Sequence, residues 1–194
     1  MMAGRRCAWP LLCALLASTA VSAQIDLVQL LDRAEAALRD DGPTPARPLF
    51  DQALQVATAE GRERERARAL TGLGEIARRQ ARAKEGRDGL FEALAIFERL
   101  QDQRGIAMAA YEAAEVTPER EATPLYERAA AAGRAAGDPG LAGQALHRLG
   151  DDAFDVGDYE RSIDWLTQAA SPARCRSPRS GADRGSGPAG PFRG

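Results

Sequence analysis

Between residues 24 and 170 small and large apolar residues recur at spacings of three and four, which places them on one stripe of a helix. The stripe repeats at long range. Ala53, Ala93, Ala129 and Ala169 are separated by 40, 36 and 40 residues. Three residues before each stands a large group: Phe50, Leu90, Tyr126 and Leu166. Four residues earlier stands a small one: Ala46, Gly86, Ala122 and Ser162. A second frame precedes the first, with Ala69-Leu70, Ala109-Ala110 and Ala145-Leu146 in equivalent places. Leu73-Gly74, Ala113-Ala114 and Leu149-Gly150 follow them, and Leu30 and Ala34 supply a weaker first copy. A small residue lets a neighbouring helix come close and the large residue fills the gap beside it. One such helix cannot bury its stripe alone, so the pattern predicts helix pairs stacked on one another.

The pattern predicts helices at about 25–39 with 45–60, 63–80 with 83–100, 104–116 with 123–136, and 141–156 with 159–170. Asp41-Gly42-Pro43-Thr44-Pro45 breaks the first pair, with Thr44 expected as N-cap and Pro45 at the first helical position. Thr123-Pro124 and Asp138-Pro139 are expected to repeat that cap. Gly61, Gly105 and Gly137 lie between repeats, which divide at about 25–60, 61–101, 102–137 and 138–170.

The frame resembles the tetratricopeptide repeat, whose first helix carries Trp/Leu-x2-Leu-Gly-x2-Tyr and whose second carries Ala-x3-Phe/Tyr-x2-Ala. The nearest match runs from Leu146 through Leu149-Gly150, the Gly157-Asp158-Tyr159 turn, and Ser162, Leu166 and Ala169. The resemblance covers residues 24–170. It implies an all-α fold, a right-handed α-solenoid of about four antiparallel helix pairs. The spacing of 36–40 exceeds the family's usual 34. Repeat three carries Val116-Thr117-Pro118-Glu119 at the inter-helix turn, and repeat one has Arg33 where Leu is expected.

Composition agrees with an all-α chain built on small contacts. Of the 194 residues 44% are hydrophobic but only 5% aromatic. The net charge of −2 hides a split. Residues 1–23 carry Arg5 and Arg6 and no acid. Residues 171–194 carry Arg174, Arg176, Arg179, Arg184 and Arg193 against Asp183. Of the chain's 26 basic and 28 acidic residues, 19 and 27 therefore fall in residues 24–170, a net charge near −8. Such a body is a poor match for nucleic acid.

Residues 1–23 read as a secretory signal peptide: the arginines come first, an apolar run from Cys7 to Ala17 follows, and Val21-Ser22-Ala23 offers small residues for cleavage. That places the protein in the periplasm or outside the cell, with no membrane span once the leader is removed. Residues 171–194 contain no Leu, Ile or Val and are expected to be a disordered basic tail. The abrupt switch inside a repeat suggests a truncated or frame-shifted reading of a longer protein, against the plainer reading of a natural basic linker.

The resemblance also implies a site. First helices of the family line a concave groove, which here gives Val28, Leu31, Glu35 and Leu38, then Arg68, Thr71, Glu75 and Arg78. Met108, Tyr111 and Glu115 follow in repeat three, and Gln144, His147, Asp151 and Phe154 in repeat four. Glu35, Glu75, Glu115 and Asp151 occupy one equivalent place, an acidic ladder suited to a basic or mixed peptide; the plainer reading is ordinary solvated charge. The family's Lys, Arg and Asn carboxylate clamp is not reproduced.

No cofactor or metal is expected. Cys7, Cys13 and Cys175 all lie outside residues 24–170, and His147 is the sole histidine, with no nucleophile near it in sequence. Asp151, Asp152 and Asp155 lack the loop and glycine of an EF-hand. Arg62-Glu-Arg-Glu-Arg-Ala-Arg68 is mixed in sign and reads as a solvated face. These points favour a non-catalytic scaffold that binds a protein or peptide. The rival reading is the N-terminal sensor arm of a larger protein with a caspase-like peptidase or signalling domain.

Overall fold

A computed structural model describes residues 26–170; the expected leader and basic tail lie outside the described residues. Among these, the regular structure is all helical: α1 Leu27–Asp40, α2 Pro43–Ala59, α3 Glu63–Arg79, α4 Ala83–Arg99, α5 Gln103–Glu115, α6 Glu119–Ala135, α7 Pro139–Asp155 and α8 Tyr159–Ala170. The turns between helices are two or three residues long. The chain falls into two compact units that divide after Gly105.

In the first unit α1 packs on α2, α2 on α3 and α3 on α4, and α1 also touches α3 across the pair boundary. Leu27, Leu31, Ala34, Phe50, Ala53 and Ile76 are fully shielded at its centre. In the second unit α6 packs on α7 and α7 on α8. There Tyr126, Ala129, Ala145, Leu146 and Leu149 are buried.

The repeated frame describes this interior closely. Ala53, Ala93 and Ala129 are all inaccessible, and so are Phe50 and Leu90, with Tyr126 nearly so. Ala46, Gly86, Ala122 and Ser162 are buried as well, whereas Leu166 and Ala169 of α8 are half-buried. The small residue opposite the large one is indispensable. A Cβ on Gly74 would lie 2.4 Å from Leu90 Cγ, and one on Gly150 would lie 2.6 Å from Leu166 Cγ. Leu90 and Leu166 thus sit over the glycine of the preceding helix in their own repeats, whereas Phe50 lies against Gly72 of the following repeat.

Two helices begin earlier than the cap residues suggest. α2 starts at Pro43 with Gly42 as its N-cap, so Thr44 and Pro45 lie inside it. α6 starts at Glu119, which leaves Thr123 and Pro124 within the helix. Pro48 and Pro124 hold the same place in their repeats, two residues before Phe50 and Tyr126. Both prolines are exposed, as are Thr44 and Arg120, whose carbonyls lose an amide partner and remain open to water. The Asp138-Pro139 cap is as expected: Asp138 Oδ1 accepts from the Gly140 and Leu141 amides at 3.1 Å each. Asp26 does the same for Val28 and Gln29 at the start of α1.

Five helices end in one motif. At the end of α3 the Arg82 amide donates to the Ala77 carbonyl at 2.8 Å and the Ala81 amide to Arg78 at 2.9 Å. This is a Schellman turn, which needs a left-handed residue after the helix. The same bond pair closes α2 at Gly61, α4 at Gln101, α6 at Gly137 and α7 at Gly157, all with positive φ.

Candidate functional site

The groove residues expected on the first helices separate into three groups. Leu31, Leu38 and Thr71 are buried and cannot meet a partner. Leu31 and Leu38 belong to the core of the first unit, and the Thr71 hydroxyl donates to the Ala67 carbonyl at 2.9 Å. Their faces turn inward because α1 and α3 pack on each other as well as on α2.

A second group is engaged in ion pairs. In the first unit Arg68 reaches from α3 to α1, with Nε and Nη2 at 3.1 and 2.7 Å from Glu35 and Nη2 at 2.8 Å from Asp32. Partial burial is the largest influence on Arg68 and pulls its pKa down. The hydrogen bonds and charges of Asp32 and Glu35 outweigh it and leave the pKa raised. Glu75 pairs with Arg79 at 2.6 Å, one turn along α3. Arg79 also donates to the Leu38 carbonyl at 3.0 Å, where it satisfies an open carbonyl at the end of α1.

In the second unit Glu115 is the centre of a cluster. It accepts from the Tyr126 hydroxyl at 2.7 Å and pairs with Arg148 at 2.8 Å, so that α5, α6 and α7 meet at one carboxylate. Tyr111 contacts the edge of Tyr126 with ring centres 5.8 Å apart, and the Arg148 guanidinium lies over the same ring at 5.9 Å. Burial pushes the Tyr126 pKa up, and Glu115 adds to the shift. Arg148 is also raised, through its bond to Tyr126 and its charge contact with Glu115. Asp151, the remaining ladder position, lies 3.0 Å from Nδ1 of His147. All four ladder carboxylates thus have a basic partner within their own unit. Arg148 carries none of the repeat's frame residues. Nothing in the spacing marked it, because its role depends on a register between helices.

The third group is open to solvent. His147 is 64% exposed at its side chain. Phe154 is 60% exposed and packs edge-on against Tyr159, ring centres 5.5 Å apart. Val28 and Gln144 are exposed, and Arg78 and Met108 are half-exposed.

The mixed run Arg62–Arg68 does more than coat a face. Glu63 makes a paired bond with Arg99 at 2.7 and 2.9 Å, and the bond lowers the Glu63 pKa. Arg64 meets Asp102 at 3.0 Å and Arg66 meets Glu92. Apart from the pairs that Arg62 makes with Glu60 and Glu65, the run therefore ties α3 to α4 and the turn after it on one side and to α1 on the other. These pairs are mostly exposed, so water and salt screen them and each adds little to stability.

A separate concavity of about 360 Å³ opens in the second unit, between α6, the end of α7 and the start of α8. Glu119, Asp152, Asp155 and Asp158 line it beside Arg120 and Arg161, with Leu149, Val156 and Trp165 as apolar wall. No group of His, Cys, Asp and Glu suited to a metal ion occurs among the described residues. No helix among them is long and apolar enough to cross a membrane. No protein-family model matches the chain, and a search of the curated proteins finds no match.

Proposed function

We propose that the chain is a non-catalytic scaffold of the tetratricopeptide type. Its helix pairs stack as a right-handed solenoid and hold a peptide or protein segment against the first helices of the repeats. The observation that carries this reading is the repeated burial. Ala53, Ala93 and Ala129 are equally inaccessible, and each lies one turn from a buried Phe50, Leu90 or Tyr126. A fold that spends its core positions on stacking repeats leaves first-helix side chains such as His147 and Phe154 outside, and an exposed aromatic beside a polar partner is the kind of anchor that protein interfaces favour.

The excess of acid over base in residues 24–170 supports a basic or mixed partner. The apolar leader supports action outside the cytoplasm. Because Glu35, Glu75 and Glu115 already hold arginines, the exposed His147, Asp151 and Phe154 on α7 carry the recognition in this reading.

Fluorescence anisotropy with labelled basic, mixed and acidic peptides of equal length tests it. The basic or mixed peptides are expected to bind saturably. His147→Ala combined with Phe154→Ala is expected to weaken binding about tenfold, about 1.4 kcal/mol, with an unchanged melting temperature because both side chains are exposed. Equal affinity of the variant, or no saturable binding of any peptide, overturns the proposal.

A further inference from the structure

None of the first-helix groove residues lines the concavity between α6, α7 and α8, which suggests an occupant of its own. Glu119, Asp152 and Asp155 line it, and none of the three side chains makes a hydrogen bond or ion pair among the described residues. Asp158 is already engaged, accepting from the Arg161 amide at 3.1 Å and lying 3.8 Å from its guanidinium. Burial raises the Asp152 pKa, and the charges of Glu119, Asp151 and Asp155 raise it further against the pull of Arg148. The carboxylates thus crowd one another in a concave place beside the indole of Trp165. Apolar side chains are exposed nearby: Phe154, Val156, Tyr159 and Ile163 are all more than half accessible. Arg120 and Arg161 line it too, two arginines against four carboxylates, so this surface combines a net negative charge with uncovered apolar area.

The chain itself carries the complementary chemistry. Residues 171–194 follow α8 directly and bear five arginines against one aspartate. α8 has 12 residues, so the concavity lies roughly 18 Å back along the helix from Ala170. An extended strand advances about 3.3 Å per residue, so roughly six residues return that distance. The arginines nearest that reach are Arg174, Arg176 and Arg179.

We propose that the segment 171–194 of this chain folds back along α8 and sets Arg176 and Arg179 against Asp152 and Asp155, as an internal occupant of the α6–α7–α8 concavity. The guanidinium groups supply the ion-pair partners that Asp152 and Asp155 lack among the described residues and can lie over the Trp165 ring. A basic partner from outside would have to displace this segment before it used the same surface.

Cys175 provides the probe. In the full chain with Cys7→Ser and Cys13→Ser, a nitroxide on Cys175 is expected to broaden the amide signals of Asp152 and Asp155 and the indole signal of Trp165. Broadening is expected to vanish at about 1 M salt, where the screening length falls to about 3 Å. It is expected to vanish as well with Asp152→Asn combined with Asp155→Asn, whose fold circular dichroism checks. A mixture of nitroxide-labelled chain at natural abundance with unlabelled, isotope-enriched chain separates the sources. Broadening confined to the singly labelled chain supports the intramolecular contact. Broadening of equal strength in the mixture means that a second copy supplies the segment and overturns it. Absence of broadening at these residues, or broadening indifferent to salt, overturns it too.

Discussion

At the scale of single residues, the helix ends show where this chain departs from its own pattern. Gly61 and Gly137 close the second helices of repeats one and three in the left-handed region, with φ of 66° and 70°. The matching place in repeat two holds Gln101 at φ 54°, and Ala81 sits at φ 56° after α3 where Gly157 sits after α7. A side chain in this region costs about 1–2 kcal/mol. Glycine removes that strain but gives back about 0.4–1 kcal/mol through the freer unfolded chain. Ala81→Gly with Gln101→Gly is therefore expected to stabilise the protein by roughly 1–2 kcal/mol in total. A urea titration should show the midpoint rise at constant slope. A fall would mean that these residues do not close Schellman turns. Gly74 and Gly150 obey the opposite logic, since what they require is absence of bulk beneath Leu90 and Leu166.

At the scale of elements, the junction of α5, α6 and α7 depends on one carboxylate. Tyr126 is buried and its hydroxyl donates to Glu115, while Arg148 closes the cluster from α7. Glu115→Ala leaves the hydroxyl without that acceptor and is expected to cost about 1–3 kcal/mol. Tyr126→Phe in the same background removes the stranded group and should cost much less than it does alone. A double-mutant cycle measures the coupling, expected at about 1–2 kcal/mol; simple additivity would show that the bridge does not hold the helices together. The helices themselves were legible, because the small-large-Ala frame marks which face is buried and the short turns mark the breaks. The starts of α2 and α6 were not, since Thr44-Pro45 and Thr123-Pro124 look like helix openers but lie inside helices that begin at Pro43 and Glu119. The ionic partners were illegible for another reason. Arg68 to Asp32, Glu63 to Arg99 and Arg148 to Glu115 each join residues more than thirty positions apart. A single helix shows which face carries charge, but not which neighbour's charge will meet it.

At the scale of the whole molecule, each unit stacks its helices on near neighbours, so damage should stay near its origin. Leu31 tests this and also separates two readings of the same residue. As a groove contact it could be removed without harm to the fold. As the fully buried residue it is, packed among Leu27, Ala34 and Phe50, Leu31→Ala leaves a cavity and is expected to cost about 2–5 kcal/mol. In a stack whose stability is a sum of local terms, that loss should not spread evenly. Hydrogen exchange is expected to quicken in α1, α2 and α3 while the amides of α7 and α8 keep their protection. Uniform loss of protection along residues 26–170 would instead mean that the two units unfold as one cooperative body, and that the repeats are bound together by more than contact with the next helix.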